Sequence, residues 1–376
     1  MSPTHLWLRC ETKEFEARSA LTPTTARKLL DAGFKITVER DPNRIFDDAE
    51  FERAGCEMAE YNSWPSAPKD ALIIGLKELP VEDSALPHTH IQFAHCYKQQ
   101  AGWAEILARF AKASPSGLLY DLEFLQEASG RRVAAFGYHA GFAGAAAGAL
   151  ALAQQVQGKT LGKLSPYPNE GAMIEEVKKS VRDAEEKLGR PARGLVIGAL
   201  GRCGRGAVDL LKAGGLKDEN ILKWDMAETA KGGPFPELLD VDIFVNCIYL
   251  TTKIPYFLTR EFIESAGPSR ALQVIVDVSC DTTNPNNPIP VYNINTTFDK
   301  PTVPVELGSG VPPMTVVSID HLPTLLPREA SEQFSNDLLP SLLQLPQRHE
   351  ARVWTDAEKL YNERKQEALA YLGEKA

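Results

Sequence analysis

Cysteine is sparse in this chain. Six residues, Cys10, Cys56, Cys96, Cys203, Cys247 and Cys280, are scattered over 376 positions without a Cys-x-x-Cys pair. That spacing argues against a zinc site and a disulfide-built scaffold and fits a reducing compartment; no metal is expected. Basic charge is also short. The chain has 41 Lys+Arg against 50 Asp+Glu, a net charge of -9, and no Lys/Arg-rich run interleaved with aromatics, so nucleic acid is not an expected partner. The start, Met1-Ser2-Pro3-Thr4-His5, lacks the basic and apolar regions of a secretory signal, and Glu374-Lys375-Ala376 is not a Ser-Lys-Leu-type address; the expectation is a cytoplasmic protein. One long stretch, Val133 to Ala153, has no Lys, Arg, Asp or Glu. Its Ala/Gly composition partitions weakly into lipid, and Gly137, Gly141, Gly144 and Gly148 suit a soluble helix packed closely on another element, so no membrane span is expected.

What is present is ample apolar material, 43% of residues against 24% charged, in a chain long enough for two domains rather than one. The first third alternates apolar runs (Leu6 to Leu8, Phe34 to Glu39, Ala71 to Leu76, His90 to His95, Leu118 to Leu125) with helical patterns at Thr22 to Ala32 and Gly102 to Ala113. This is βαβ rhythm, which predicts a parallel sheet with crossover helices. After the Gly/Ala helix and a charged helix from Asn169 to Gly189, the cycle restarts at Arg193 to Gly198. Further strands are expected at Asn220 to Asp225, Val241 to Ile248, Leu272 to Val278 and Met314 to Ile319; from Pro327 onward the pattern is helical.

The sharpest motif is Gly198-Ala199-Leu200-Gly201-Arg202-Cys203-Gly204, between an apolar strand and a helix. Glycines at such a turn allow a tight bend and let a pyrophosphate approach the backbone at the positive end of the helix. The GxxGxxG spacing departs from G-x-G-x-x-G, and such turns also occur for structural reasons alone. Asp225 adds weight. It ends the next strand 21 positions after Gly204, where a carboxylate accepts hydrogen bonds from ribose hydroxyls and repels a 2'-phosphate, so NAD is favoured over NADP.

Basic residues collect at the ends of the N-terminal apolar runs: Arg18, Lys77, His95, Lys98, Arg131 and Arg132. Any one of them taken alone reads as a solvated charge. Together they predict a pocket for a substrate with several carboxylates. Lys77 and His95 also suit amine oxidation, in which a base must free the nitrogen lone pair before hydride leaves the neighbouring carbon, and Glu78 and Glu123 are placed to tune them.

The motifs Glu16-Ala17-Arg18-Ser19-Ala20-Leu21-Thr22-Pro23, Gly75-Leu76-Lys77-Glu78, His95-Cys96-Tyr97-Lys98, Gly130-Arg131-Arg132, the glycine turn, Leu222 to Asp225, Asp281 to Pro285 and Ser318 to Pro323 together resemble the fungal lysine-forming saccharopine dehydrogenases. More loosely, the first blocks resemble alanine dehydrogenases and transhydrogenase domains. The resemblance implies an α/β protein of two Rossmann-like, doubly wound parallel-sheet domains with an active-site cleft between them. Residues 1–136 with 324–376 would form the substrate-binding domain and 137–323 the NAD-binding domain.

It further implies oxidative cleavage of saccharopine by NAD and water to lysine and 2-oxoglutarate, the last step of the α-aminoadipate route to lysine, in a protein expected to be monomeric. By the same likeness Lys77 is the base and His95 the acid/base for water addition. Arg18, Lys98, Gln100, Arg132 and Phe136 contact substrate. Arg131, Gly198, Gly201, Arg202, Gly204, Asp225, Thr229, Tyr249, Val278, Ile319, Asp320, His321 and Leu322 hold NAD. The likeness also places Cys203 and Cys247 close together beside the cofactor, which makes a reversible disulfide between them a hypothesis. Cys280 and Lys231 depart from the family pattern, which has alanine and arginine there. Two competing readings are an alanine-dehydrogenase-like enzyme acting on a smaller amino acid and a non-catalytic NAD-binding module.

Overall fold

The computed structural model describes residues 3–280, 282 and 284–375; Asp281 and Thr283 of the resemblance motif lie outside the described residues. The chain divides into two compact units, Met1–Ala135 with Pro327–Ala376, and Phe136–Leu326.

The first unit is built on a six-stranded sheet of β1 (His5–Leu8), β2 (Lys35–Glu39), β3 (Glu57–Ala59), β4 (Leu72–Ile74), β5 (Thr89–Gln92) and β6 (Leu118–Asp121). Its order is β3-β2-β1-β4-β5-β6 and every neighbouring pair is parallel. Parallel pairing requires crossovers, supplied in part by α1 (Pro23–Asp31), α2 (Asp48–Ala54) and α3 (Trp103–Lys112). Thr22 caps α1 through the Thr25 amide, with Pro23 at the first helical position, where its missing N–H costs nothing. β1, β2, β4, β5 and β6 are buried at nearly every position, as a parallel sheet with both faces covered requires. The chain returns to this unit with α9 (Pro327–Leu342) and α10 (Arg352–Lys375). There the Trp354 indole donates to the Ser341 carbonyl and Tyr361 to that of Gly117.

The second unit opens with α4 (Gly137–Gln155) and α5 (Glu170–Leu188), followed by β7 (Gly194–Ile197), α6 (Arg202–Ala213), β8 (Ile221–Trp224), α7 (Met226–Thr229), β9 (Ile243–Asn246), α8 (Arg260–Ser265), β10 (Val274–Asp277), β11 (Val303–Pro304) and β12 (Thr315–Val317). The sheet order is β11-β12-β10-β9-β7-β8, parallel except for the β11/β12 pair. The Gly/Ala run is a buried helix because backbones meet there. A Cβ on Gly141 would lie 1.8 Å from the Cys203 carbonyl oxygen, and one on Gly206 2.0 Å from that of Tyr138. Small residues at these crossings let α4 lie directly on α6, and no helix among the described residues is long and apolar enough to cross a membrane.

The α/β reading therefore holds, with differences at the edges. The α2 and β3 pieces and the antiparallel β11 were not legible as elements. The runs at His90 to His95 and Leu118 to Leu125 leave their ladders early, at Gln92 and Asp121. Beyond those points the chain turns, and the residues with chemistry lie in the turns.

Candidate functional site

In the first unit the sheet reverses its winding between β1 and β4, and the segments leaving the carboxyl ends of neighbouring strands are the expected ligand crevice. Lys77 lies three residues beyond β4 and is buried. The ladder runs on to meet it, since the Phe93 amide donates to the Leu76 carbonyl at 2.9 Å. Glu16 and Arg18, on the loop after β1, form a buried pair. Arg18 Nε and Nη2 reach the two Glu16 oxygens at 2.8 and 2.6 Å, and the Arg18 amide donates to the same carboxylate. Burial pushes the Glu16 pKa up, but Arg18 and the charge of Lys77 outweigh it and hold it at about 2. Glu78 carries the Lys13 ammonium at 3.0 Å. Burial raises its pKa, and Lys77 and Lys13 more than offset that and lower it. Two carboxylates kept ionised at neutral pH, Glu16 and Glu78, thus act on Lys77 through their charge.

The second cluster is gathered by Glu123, just past β6. Its Oε1 accepts from Lys98 Nζ at 2.6 Å and from Arg132 Nη2 at 3.3 Å, and its Oε2 lies 3.9 Å from His95 Nδ1. Arg132 Nε also donates to the Glu123 carbonyl. Burial acts to raise the Glu123 pKa, but Lys98, Arg132 and His95 together lower it. The His95 side chain is 41% exposed and its ring stacks on Phe93. Non-glycine residues with positive φ are few among the described residues, yet Phe15, His95 and Gln99 are three of them. Strain of this kind collects where side chains must be aimed.

Other expected residues fall differently. Gln100 and Arg131 are exposed; the Gln100 carbonyl caps the start of α3 through the Trp103 amide. Phe136, expected as a substrate contact, is the residue preceding α4 and begins the second unit. Sequence reasoning missed Asp121, which is buried and accepts from the Glu123 amide at 2.9 Å and the Ala94 amide at 3.4 Å. Burial drives its pKa up to about 7. A cavity of ≈ 300 Å³ beside Arg9, Trp64 and Arg109 is lined by none of Lys77, His95 and Arg18.

In the second unit the turn between β7 and α6 is bent at Gly198, whose φ of +85° glycine alone adopts readily. A Cβ on Gly204 would lie 2.1 Å from the Gly198 carbonyl oxygen, so only glycine lets the helix start this close to the strand. Asp225, after β8, closes onto the turn. Its Oδ2 accepts from the Leu200 amide at 3.1 Å and its Oδ1 from the Met226 amide at 2.9 Å, while Thr229 Oγ1 donates to its carbonyl. Leu200 and Met226 are 71% and 82% exposed. Large apolar side chains left open beside a helix N-terminus and a carboxylate suit a flat base, a ribose and a pyrophosphate. Arg202 is the first residue of α6. Val278 and Leu322 both face Gly144 of α4. Ile319 and Leu322 are buried, so their side chains serve the core and only their backbone is left for a ligand. Tyr249 is half exposed, Asp320 is exposed, and the His321 ring meets Phe298 edge-on.

The expected Cys203–Cys247 disulfide is not formed. Both residues are free thiols, hydrogen-bonded to each other, and burial raises the Cys247 pKa well above its ordinary value.

Residues 7–143 match the model of the alanine dehydrogenase/PNT N-terminal domain. Along nearly its whole length the chain is similar to proteins named saccharopine dehydrogenase [NAD(+), L-lysine-forming]. One from Neurospora crassa is 57% identical over 370 residues, covering 97% of each chain. One from Schizosaccharomyces pombe is 59% identical over 365 residues, covering 96% of this chain and 98% of that one. The chain belongs to the lysine-forming saccharopine dehydrogenase family. Its fold extends further than that family. An L-alanine dehydrogenase structure superposes with a TM-score of 0.62 at 15% identity, covering 95% of this chain and 93% of the other.

Proposed function

We propose that the chain oxidises saccharopine with NAD⁺ and water to lysine and 2-oxoglutarate, the second unit holding the dinucleotide and the first the substrate. The reading is supported by family membership and carried by one observation, the first unit's two groups of cations at adjacent strand ends, one set against the buried Glu16 and the other against the partly buried Glu123. NAD⁺ bound at the glycine turn would accept the hydride. Arg18 and Arg132 offer planar donors and Lys98 a point charge to the carboxylates of saccharopine. Lys77, as its neutral amine, takes the proton from the secondary ammonium and becomes an ammonium itself, so that the nitrogen lone pair is available as hydride leaves the adjacent carbon. His95 then moves protons to and from water as it adds to the resulting imine and as the carbinolamine collapses. Glu123, 3.9 Å from the imidazole, steadies its charged form. Glu16 and Glu78 do the same for the ammonium of Lys77.

An assay of NADH oxidation tests this. Turnover is expected with lysine plus 2-oxoglutarate and absent with pyruvate plus ammonia; the reverse pattern overturns the reading.

A further inference from the structure

Lys77 stands where the sheet can no longer satisfy its backbone. The β1/β4 ladder ends with the Arg9 amide donating to the Ile74 carbonyl, and β4 then separates from β1 over Gly75 to Glu78. A buried peptide needs a partner for each of its polar groups. Here those partners are two side chains. Glu11 accepts the Leu76 amide on Oε1 at 2.6 Å and the Lys77 amide on Oε2 at 3.0 Å. Arg9 Nη2 donates to the Lys77 carbonyl and to Gln92 Oε1. The two side chains are themselves paired, Arg9 Nη1 to Glu11 Oε2 at 3.3 Å, with side-chain exposures of 1% and 5%. Burial raises the Glu11 pKa against the pull of Arg9 and of the two amides.

The neighbouring glycine belongs to the same device. A Cβ on Gly75 would lie 2.5 Å from Arg9 Nε, so the guanidinium crosses the backbone where a side chain would otherwise be. A buried ion pair is a poor way to gain stability, because desolvating two charges cancels most of their attraction. Its gain here is geometric.

We propose that Arg9 and Glu11 are positioning residues for Lys77, clamping its backbone N–H and C=O so that its amine is held at a fixed point within reach of the charges of Glu16 and Glu78. The proposal rests on the reading of Lys77 as the base that takes the substrate proton. Arg9 and Glu11 act only through that backbone.

The experiment compares Lys77→Met, Glu11→Gln and wild type as full chains. Glutamine offers a single oxygen to two amides and turns an NH2 toward the other. The expected result for folded Glu11→Gln is a 10- to 100-fold fall in kcat, a shift of at least half a pH unit in the limb of the pH-rate profile that Lys77→Met abolishes, and an NADH dissociation constant within twofold of wild type. Unchanged kcat and pH profile in a folded Glu11→Gln protein overturn the clamp. If Lys77→Met retains turnover, it is the reading of Lys77 that fails, and the clamp fails with it. A second measurement, on wild type, does not depend on the variant folding. The Leu76 and Lys77 amides are expected to exchange with deuterium at least 100-fold more slowly than an unprotected chain, and exchange at the unprotected rate overturns the clamp.

Discussion

Replacing Asp121 by asparagine should change how stability depends on pH, and in an unusual direction. Asp121 ends β6, is 2% exposed, and accepts the Glu123 and Ala94 amides. Burial, assisted by the nearby charge of Glu123, overcomes those amides and Arg132 and brings its pKa to about 7. An unfolded aspartate titrates near ~3.9, so between about pH 4 and pH 7 the folded chain holds a proton that the unfolded chain has released. Stability from this group is therefore full below pH 4 and is lost as pH rises through 7. A gap of roughly three pH units corresponds to ~4 kcal/mol at ~1.4 kcal/mol per unit. Asparagine cannot titrate. It leaves one of the two amides facing an NH2, at a cost of about 1–3 kcal/mol that does not vary with pH. The variant should thus be less stable than wild type at pH 4.5 and as stable or more so at pH 8.5. Urea-unfolding free energies of both proteins at half-unit steps give the difference directly. A difference flat across that range, or one that grows in favour of wild type with rising pH, would refute the reasoning, the second by showing a carboxylate stabilised in its charged form.

Three further outcomes are expected. Lys77→Met should lower kcat at least ~100-fold, the usual contribution of a positioned base, while NADH binding measured by fluorescence titration stays within twofold. Gly204→Ala should weaken NADH binding at least ~10-fold, about 1.4 kcal/mol, because the added Cβ meets backbone at 2.1 and 2.5 Å rather than a side chain that could move; unchanged affinity would mean that this turn does not hold the cofactor. Glu16→Gln leaves Arg18 buried without its counter-charge, a loss of roughly 3–5 kcal/mol. In wild type the Glu16 contribution is present above pH 4.5 and disappears as pH falls through about 2, so the variant's deficit in urea should shrink on acidification.

The residues that were readable in advance share a property: their signal is local. Gly198, Gly204 and Asp225 announce a dinucleotide turn because strand, turn and helix are consecutive and the steric demand falls on glycine itself. Lys77 and His95 stand out only as members of a set, because cations recur at the ends of successive apolar runs. The parallel sheets and the buried Gly/Ala helix follow from periodicity and side-chain size in the same way. The partners of these groups carry no such mark. Glu16, Asp121, Arg9 and Glu11 read as ordinary charges in the sequence, and Glu123 could be suspected of tuning but not of gathering His95, Lys98 and Arg132. The expected Cys203–Cys247 bond shows the converse, a covalent pairing implied by likeness where the structure has two thiols.

The sequence by itself determined the class of fold and the glycine turn between β7 and α6, and it offered the two groups proposed for acid–base chemistry, since each depends on residues near in the chain and on backbone sterics. Tertiary structure alone decided which carboxylate faces which cation, where the strands stop, and how the Lys77 peptide is held. Those choices depend on contacts between residues far apart in the chain, such as Glu11 with Lys77 at a separation of 66 and Arg9 with Gln92 at 83, and on a desolvation that exists only once the sheet has closed around them.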